Sequence, residues 1–292
     1  MLMKNLRAFV LLAILVSSCD DGDVLVTSFN FEDASLQFCE GASSLVFFKI
    51  NTESNESLSL QINAEDAVFA ETDSLQFALD GTTTFLNYRT YNTAPDAGYF
   101  CNSIPPTSPT VLQDYFAPDG TATLLVTAVF NDNDNIEEDI ESTLDTDMDG
   151  LLDYYDFDDD GDNVPTAQEI GGDPNNPIDT DGDGTPNYLD KDDDGDGVPT
   201  RNEATKDDPN PQNNITDPAV GADYLNPEIE VETPIEFYIE HSYDFVSSVV
   251  LFVNNAVFSN GEEEITQESL DFGNITNFAT GTTLITPAFP TM

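Results

Sequence analysis

Polar and apolar residues alternate strictly along Ser57-Leu58-Ser59-Leu60-Gln61-Ile62. That period of two is the mark of a strand with one buried face. Runs rich in Val, Thr, Phe and Tyr recur at 24–31, 44–51, 74–79, 83–91 and 122–130. Turn-forming Asn, Asp, Gly and Pro separate them, so each reads as a short strand. Pro105, Pro106 and Pro109 mark a loop. No amphipathic helical period of useful length occurs. The predicted class is mainly β, with a β-sandwich-like domain over 24–130.

Strand character returns near Ile229 and continues at 235–240, 246–253, 275–278 and 283–285, making 218–292 a second β region. That region would be marginal on its own. Two arrangements are open. The stretch between the β parts could be inserted into one sandwich built from both. Alternatively, two β domains could flank a stiff spacer, and this is the safer description, with docking of the two parts expected.

Between these parts, 131–217 loses both patterns. Blocks 145–170 and 179–204 match at sixteen of 26 positions after a shift of 34 residues, so the segment is internally duplicated. Each block divides into two twelve-residue loops, giving 145–156, 158–169, 179–190 and 192–203. Oxygen-bearing side chains recur at loop positions 1, 3, 5, 9 and 12. A hard cation such as Ca²⁺ takes six to eight oxygen ligands in loose geometry. Position 6 is Gly150, Asn163, Gly184 or Gly197, residues that accept the positive φ of a tight turn.

The expected ligands follow from that register. Loop one offers Asp145, Asp147, Asp149, Asp153 and Asp156 with the Leu151 carbonyl. Loop two offers Asp158, Asp160, Asp162, Thr166 and Glu169 with the Val164 carbonyl. Loop three offers Asp179, Asp181, Asp183, Asn187 and Asp190 with the Thr185 carbonyl. Loop four offers Asp192, Asp194, Asp196, Thr200 and Glu203 with the Val198 carbonyl. Asp159 and Asp193 are spare carboxylates that could join. A degenerate fifth loop at 130–141 keeps Asp132, Asp134, Glu138 and Glu141 but has Phe130 at position 1. About four Ca²⁺ ions are expected.

The loop pattern is that of the EF-hand. Yet only Phe157 separates loop one from loop two, and only Lys191 loop three from loop four, leaving no room for flanking helices. Proline at position 8 in three loops (Pro165, Pro186, Pro199) prevents pairing as strands through that position. The spacing resembles the thrombospondin type 3 repeat, in which acidic loops string along bound calcium with little regular structure. The resemblance covers about 131–217 and lacks the cysteines of the animal repeat. It implies that ions alone hold the segment together. The other reading of such acidity is a disordered tail, but disorder requires neither a fixed turn residue nor a 34-residue register.

The N-terminus reads as an export signal: Lys4 and Arg7, then an apolar run from Ala8 to Val16 too short to span a membrane. Val16-Ser17-Ser18-Cys19 resembles the lipobox of bacterial lipoproteins. That resemblance implies a signal peptide at 1–18, a lipid on Cys19 and an acidic tether at 19–23. The expected location is the outer membrane, lipid-anchored and exposed at the cell surface. Asp20, Asp21 and Asp23 leave inner-membrane retention as the alternative, since in some bacteria Asp after the cysteine signals it. With Cys19 lipidated, Cys39 and Cys101 remain outside the cytoplasm and are predicted to form a disulfide, with two free buried thiols the alternative.

The chain carries 57 acids against seven Lys and Arg, for a formal net charge of −50. Nucleic acid is disfavoured as a partner, because phosphate contacts need cations. An anionic membrane surface is disfavoured too, so attachment falls to the lipid. His241, the single histidine, reads as a half-exposed strand residue. No nucleophile motif or phosphate loop accompanies it, so no enzyme is expected. Tyr88, Tyr91 and Tyr99 read as cross-strand core residues rather than a binding face. The expectation is a calcium-binding, lipid-anchored surface protein with a structural or adhesive role. The alternative is a module that captures a glycan or protein partner, with the repeats as spacer.

Overall fold

The computed structural model describes residues 29–40, 44–104, 106–134, 136 and 142–289. Cys19, the signal peptide and the acidic tether lie outside these. Among the described residues, nine antiparallel strands form one sheet. They are β1 (Gln37–Glu40), β2 (Leu45–Asn51), β3 (Glu56–Ile62), β4 (Asp73–Ala78) and β5 (Phe85–Tyr91), then β6 (Val111–Ala117), β7 (Thr121–Asn131), β8 (His241–Ser259) and β9 (Glu264–Ile285). The order is β1-β2-β3-β5-β6-β8-β7-β4, with β9 on β8. A single residue pair, Phe116 with Ser259, joins β6 to β8. The sheet therefore works as two halves that share one core. Phe47, Leu60 and Leu86 from the first half cluster with Leu124, Leu251 and Phe272 from the second. Phe47 and Phe278 stack across that core at 5.8 Å. Each such side chain contributes about 1.5–3 kcal/mol by leaving water.

The two β parts are one body. β7 and β8 pair over eleven residues, from Thr121–Asn254 to Asn131–Asp244. The acidic segment is thus an insertion that leaves at the end of β7 and returns at the start of β8. Spacer geometry between separate domains gives way to this arrangement.

Local details follow the sequence unevenly. The Cys39–Cys101 disulfide is present, with Cα atoms 5.5 Å apart. It ties β1 to α1 (Gly98–Cys101) and sets Phe100 on the outer face of β2, stacked on Phe48 at 4.5 Å. Tyr88 and Tyr91 are buried, and Tyr88 pairs with Tyr115 across β5 and β6. Part of the run 24–31 lies outside the described residues, and Phe29 to Phe31 form no strand; Phe29 packs on Tyr88 at 4.3 Å. The strands expected near Ile229 and at 235–240 are an extended strap without a ladder, because side chains of the insertion take its backbone groups instead.

Candidate metal centre

All four loops share one backbone frame. The N–H of position 5 donates to the position 3 carboxylate at 2.9–3.2 Å, and the N–H of position 7 donates to the position 5 carboxylate at 2.7 Å. Each carboxylate at these positions spends one oxygen on the turn and keeps the other. Position 6 takes positive φ throughout, at Gly150, Asn163, Gly184 and Gly197, as expected. Position 4 does so as well, at Met148, Gly161, Gly182 and Gly195. At two of these the requirement is double. A Cβ on Gly161 would meet Asp147 and Tyr238, and one on Gly195 would lie 2.7 Å from Asp181 Oδ2. The even loop of each pair therefore packs on the position 3 aspartate of the odd loop.

Among the described residues, carboxylates converge at four places, with one oxygen from each residue within 4.8 Å of the others. Three groups are loop-local: Asp145, Asp147 and Asp149; Asp179, Asp181 and Asp183; Asp192, Asp194 and Asp196. The fourth is Asp160, Asp162 and Glu169 of loop two joined by Asp193 of loop four. It bridges the two duplicated units and is buried throughout. Asp160 is 0% exposed, Asp162 1% and Glu169 3%. One oxygen of Asp160, Asp162 and Asp193, and both of Glu169, lack a hydrogen-bond partner.

Electrostatics mark the same residues. Burial, reinforced by neighbouring carboxylates, pushes Asp160, Asp162 and Glu169 well above the ordinary carboxylate range. Burial raises Asp193 to about 8 and Glu203 to about 8. Asp149 rises to about 7 and Asp194 to about 6 for the same first reason. Packing ionised carboxylates together out of water costs several kcal/mol per charge unless a cation compensates. Oxygen-only donors in flexible loops suit Ca²⁺ rather than a softer metal. The residues present fit calcium.

Several expected ligands do other work. Position 9 acts as a latch. Its side-chain oxygen accepts the N–H of position 2 in every loop: Asp153 from Thr146, Thr166 from Asp159, Asn187 from Thr180 and Thr200 from Asp193, at 2.8–3.1 Å. Its own N–H donates to the carbonyl just before position 1, at 2.9–3.0 Å. At position 12 the loops divide. Glu169 joins its group, and Glu203 keeps two unpartnered buried oxygens. Asp156 and Asp190 stay out of their loops' groups and accept the N–H of Asp158 and Asp192, opening the next loop. Asp158, too, stands outside the loop two group; its carboxylate accepts N–H bonds from Asp162 and Asn163. The four position 7 residues, Leu151, Val164, Thr185 and Val198, donate their N–H groups to the position 5 carboxylates.

Two further pieces of the frame flank the loops. Asp132 and Asp134 repeat the position 3 and 5 turn, with Asn133 at positive φ, and each keeps a buried unpartnered oxygen. Downstream, Thr216 and Asp223 form the same latch at 2.6 Å, and Asp223 N–H donates to Asn214 as Asn187 does to Ile178. Residues 214–226 are thus a half-repeat that keeps Asp217 at position 3, where it accepts the Ala219 N–H at 2.9 Å, but has Ile215 and Ala219 at positions 1 and 5. The shared signal is Asn187-Tyr188-Leu189 against Asp223-Tyr224-Leu225.

The insertion is seated on the sandwich end and clasped by the strap. Asn163 donates to the Phe237 carbonyl at 3.3 Å and accepts the Ile239 N–H at 3.0 Å. Asn202 accepts the Ile235 N–H on its side chain and the Thr233 N–H on its carbonyl. Arg201 bonds the carbonyls of Gly161 and Ile235 and lies over the Tyr238 ring. His241 is not half-exposed: it is 1% exposed, with Nδ1 3.1 Å from the Tyr243 hydroxyl and 3.5 Å from Asp156. The insertion docked over the start of β8 is what covers it.

Residues 171–223 match the family model described as BamM C-terminal. The match spans loops three and four and ends on the latch residue Asp223. It covers under a fifth of the chain and is a likeness of that segment. No curated protein and no solved structure matches the chain. The thrombospondin resemblance rests on loop spacing alone. Among the described residues, no helix is long and apolar enough to cross a membrane.

Proposed function

We propose that the insertion binds about four Ca²⁺ ions. In this reading the ions act as its structural core on a lipid-anchored surface protein with a structural or adhesive role. The observation that carries this reading is the Asp160–Asp162–Glu169–Asp193 group, buried and with oxygens aimed at no hydrogen. An ion there would cross-link the two duplicated units. The loop-local groups, more exposed, would fill at higher calcium. Affinities of extracellular modules, with Kd of order 10⁻⁴ to 10⁻³ M, are the reference for those outer groups. The BamM C-terminal likeness suggests an outer-membrane-associated setting, which agrees with the lipobox-like Cys19.

Calorimetric titration of the chelator-treated chain tests the reading. At least two ions should bind at millimolar calcium, with one class tighter than the rest. Fewer than two ions would sink it. Fractionation of cells carrying Cys19→Ala tests the anchor separately: the protein should leave the membrane fraction.

A further inference from the structure

A cavity of about 660 Å³ opens between the two halves of the sandwich, and none of the four carboxylate groups lines it. Phe29, Phe31, Leu58 and Phe272 form its apolar wall. Lys49 also lines it. On β2, Leu45, Phe47 and Lys49 alternate onto the core face, so this lysine occupies a position where the rest of the strand places hydrocarbon. It is 6% exposed, and opposes Leu58 on β3. Among the described residues, the Lys49 side chain has no hydrogen bond and no ion pair. Asp271, on the cavity rim, is the carboxylate among the described residues whose field reaches it, and burial outweighs that field, lowering the lysine's pKa.

A lysine on a core face without a counter-ion is a cost that Met or Leu would remove. In a chain with seven cations and 57 acids, a cation in this place has no carboxylate in contact among the described residues and calls for an anion. The volume lies within the roughly 300–1,000 Å³ of small-molecule sites, which combine apolar walls with a few polar groups that fix orientation. We infer that this cavity binds a small amphipathic carboxylate, its acid group on the Lys49 ammonium and its hydrocarbon against Phe29, Phe31 and Phe272. The site is independent of the calcium loops.

Decanoate is the probe, titrated by calorimetry into the full chain at fixed calcium. Binding should be seen for decanoate and be at least tenfold weaker for decanol, which keeps the tail and lacks the charge. Lys49→Met should abolish the preference for decanoate over decanol while leaving the thermal midpoint equal or higher. Asp271→Asn, which removes the competing carboxylate, should tighten decanoate. Absence of decanoate binding, equal binding of acid and alcohol, or undiminished binding to Lys49→Met would each overturn the inference. So would a lowered midpoint in both Lys49→Met and Asp271→Asn, which would make the two residues partners of each other. Calcium stoichiometry should be unchanged in all variants, so failure here leaves the calcium reading standing.

Discussion

The sandwich and its insertion bury opposite things. In the sandwich, Phe47, Leu60, Leu124 and Leu251 leave water and contribute stability through apolar area. In the insertion, the most deeply buried side chains include Asp158, Asp160, Asp162 and Glu169. One core stands without help. The other is a liability until something positive enters it. The comparison shows that compactness alone does not reveal what holds a segment. What decides is whether the buried atoms have partners, and in the insertion many do not.

Metal removal should break the symmetry of that comparison most strongly. With calcium chelated, amide exchange should become fast across the insertion while β7 and the central part of β8 stay protected. The effect should also depend on pH in a defined direction. The carboxylates are raised in the folded, metal-free state, so that state favours their neutral forms. Its stability is fully present below the ordinary carboxylate pKa near 4. It is lost as pH rises through the folded values of about 6 for Asp194, about 7 for Asp149 and about 8 for Asp193 and Glu203. Chelated protein should therefore show a more protected insertion at pH 5 than at pH 8. Calcium should flatten the difference. Equal protection in chelator at both pH values would mean that these acids are not what destabilises it.

A narrower break targets the bridging group. Glu169→Gln keeps the shape and removes a charge whose two oxygens have no partner. Calorimetry should show the tightest ion weakened tenfold or more, with the loop-local ions retained. In chelator the same variant should melt no lower than the parent, because a buried charge has gone. Asp181→Asn, in the exposed group, should do much less to either number.

The strap sharpens the contrast at the backbone. Asn163 stands where the other three loops have glycine. It supplies positive φ, and its amide also holds Phe237 and Ile239. Asn163→Gly should keep the turn and the calcium stoichiometry yet cost about 1–3 kcal/mol from the two lost bonds. Urea denaturation in saturating calcium measures it. An unchanged midpoint would make Asn163 only a substitute for glycine.

The sandwich was legible where its strands alternate: 57–62, 74–79 and 122–130 each fall on a strand within a residue or so. β9 was not, because Thr, Asn, Gly and Glu along an edge strand carry no apolar period; two fragments were visible in its 22 residues. In the insertion, the spacing of oxygens revealed the loops, and the turn residue at position 6 confirmed the frame. Position 9 has a role that spacing does not show, because Asp, Asn and Thr satisfy an N–H as readily as a cation. Asp193 was visible as spare, but its partners lie in the other unit, 24 to 33 residues away. The half-repeat at 214–226 was invisible because Ile215 and Ala219 stand where the loops carry Asp, although Asp217 and the latch survive.

Position 4 allows the smallest and most discriminating test, since two loops answer it oppositely. Met148 and Gly161 sit at nearly the same angle, φ 68° and 72°. For a residue with a Cβ that conformation costs about 1–2 kcal/mol, part of which glycine gives back through its freer unfolded chain. Met148 is 79% exposed and touches little that would be lost. Met148→Gly should therefore raise stability in calcium by about 0.5–1 kcal/mol, read as a higher thermal midpoint. Gly161→Ala must go the other way, because its new methyl would strike Asp147 and lie 2.8 Å from the Tyr238 ring. If both substitutions moved the midpoint in the same direction, the even loops would not be seated on the odd ones. The pairing of loops that brings Asp193 to Glu169 would then have lost its support.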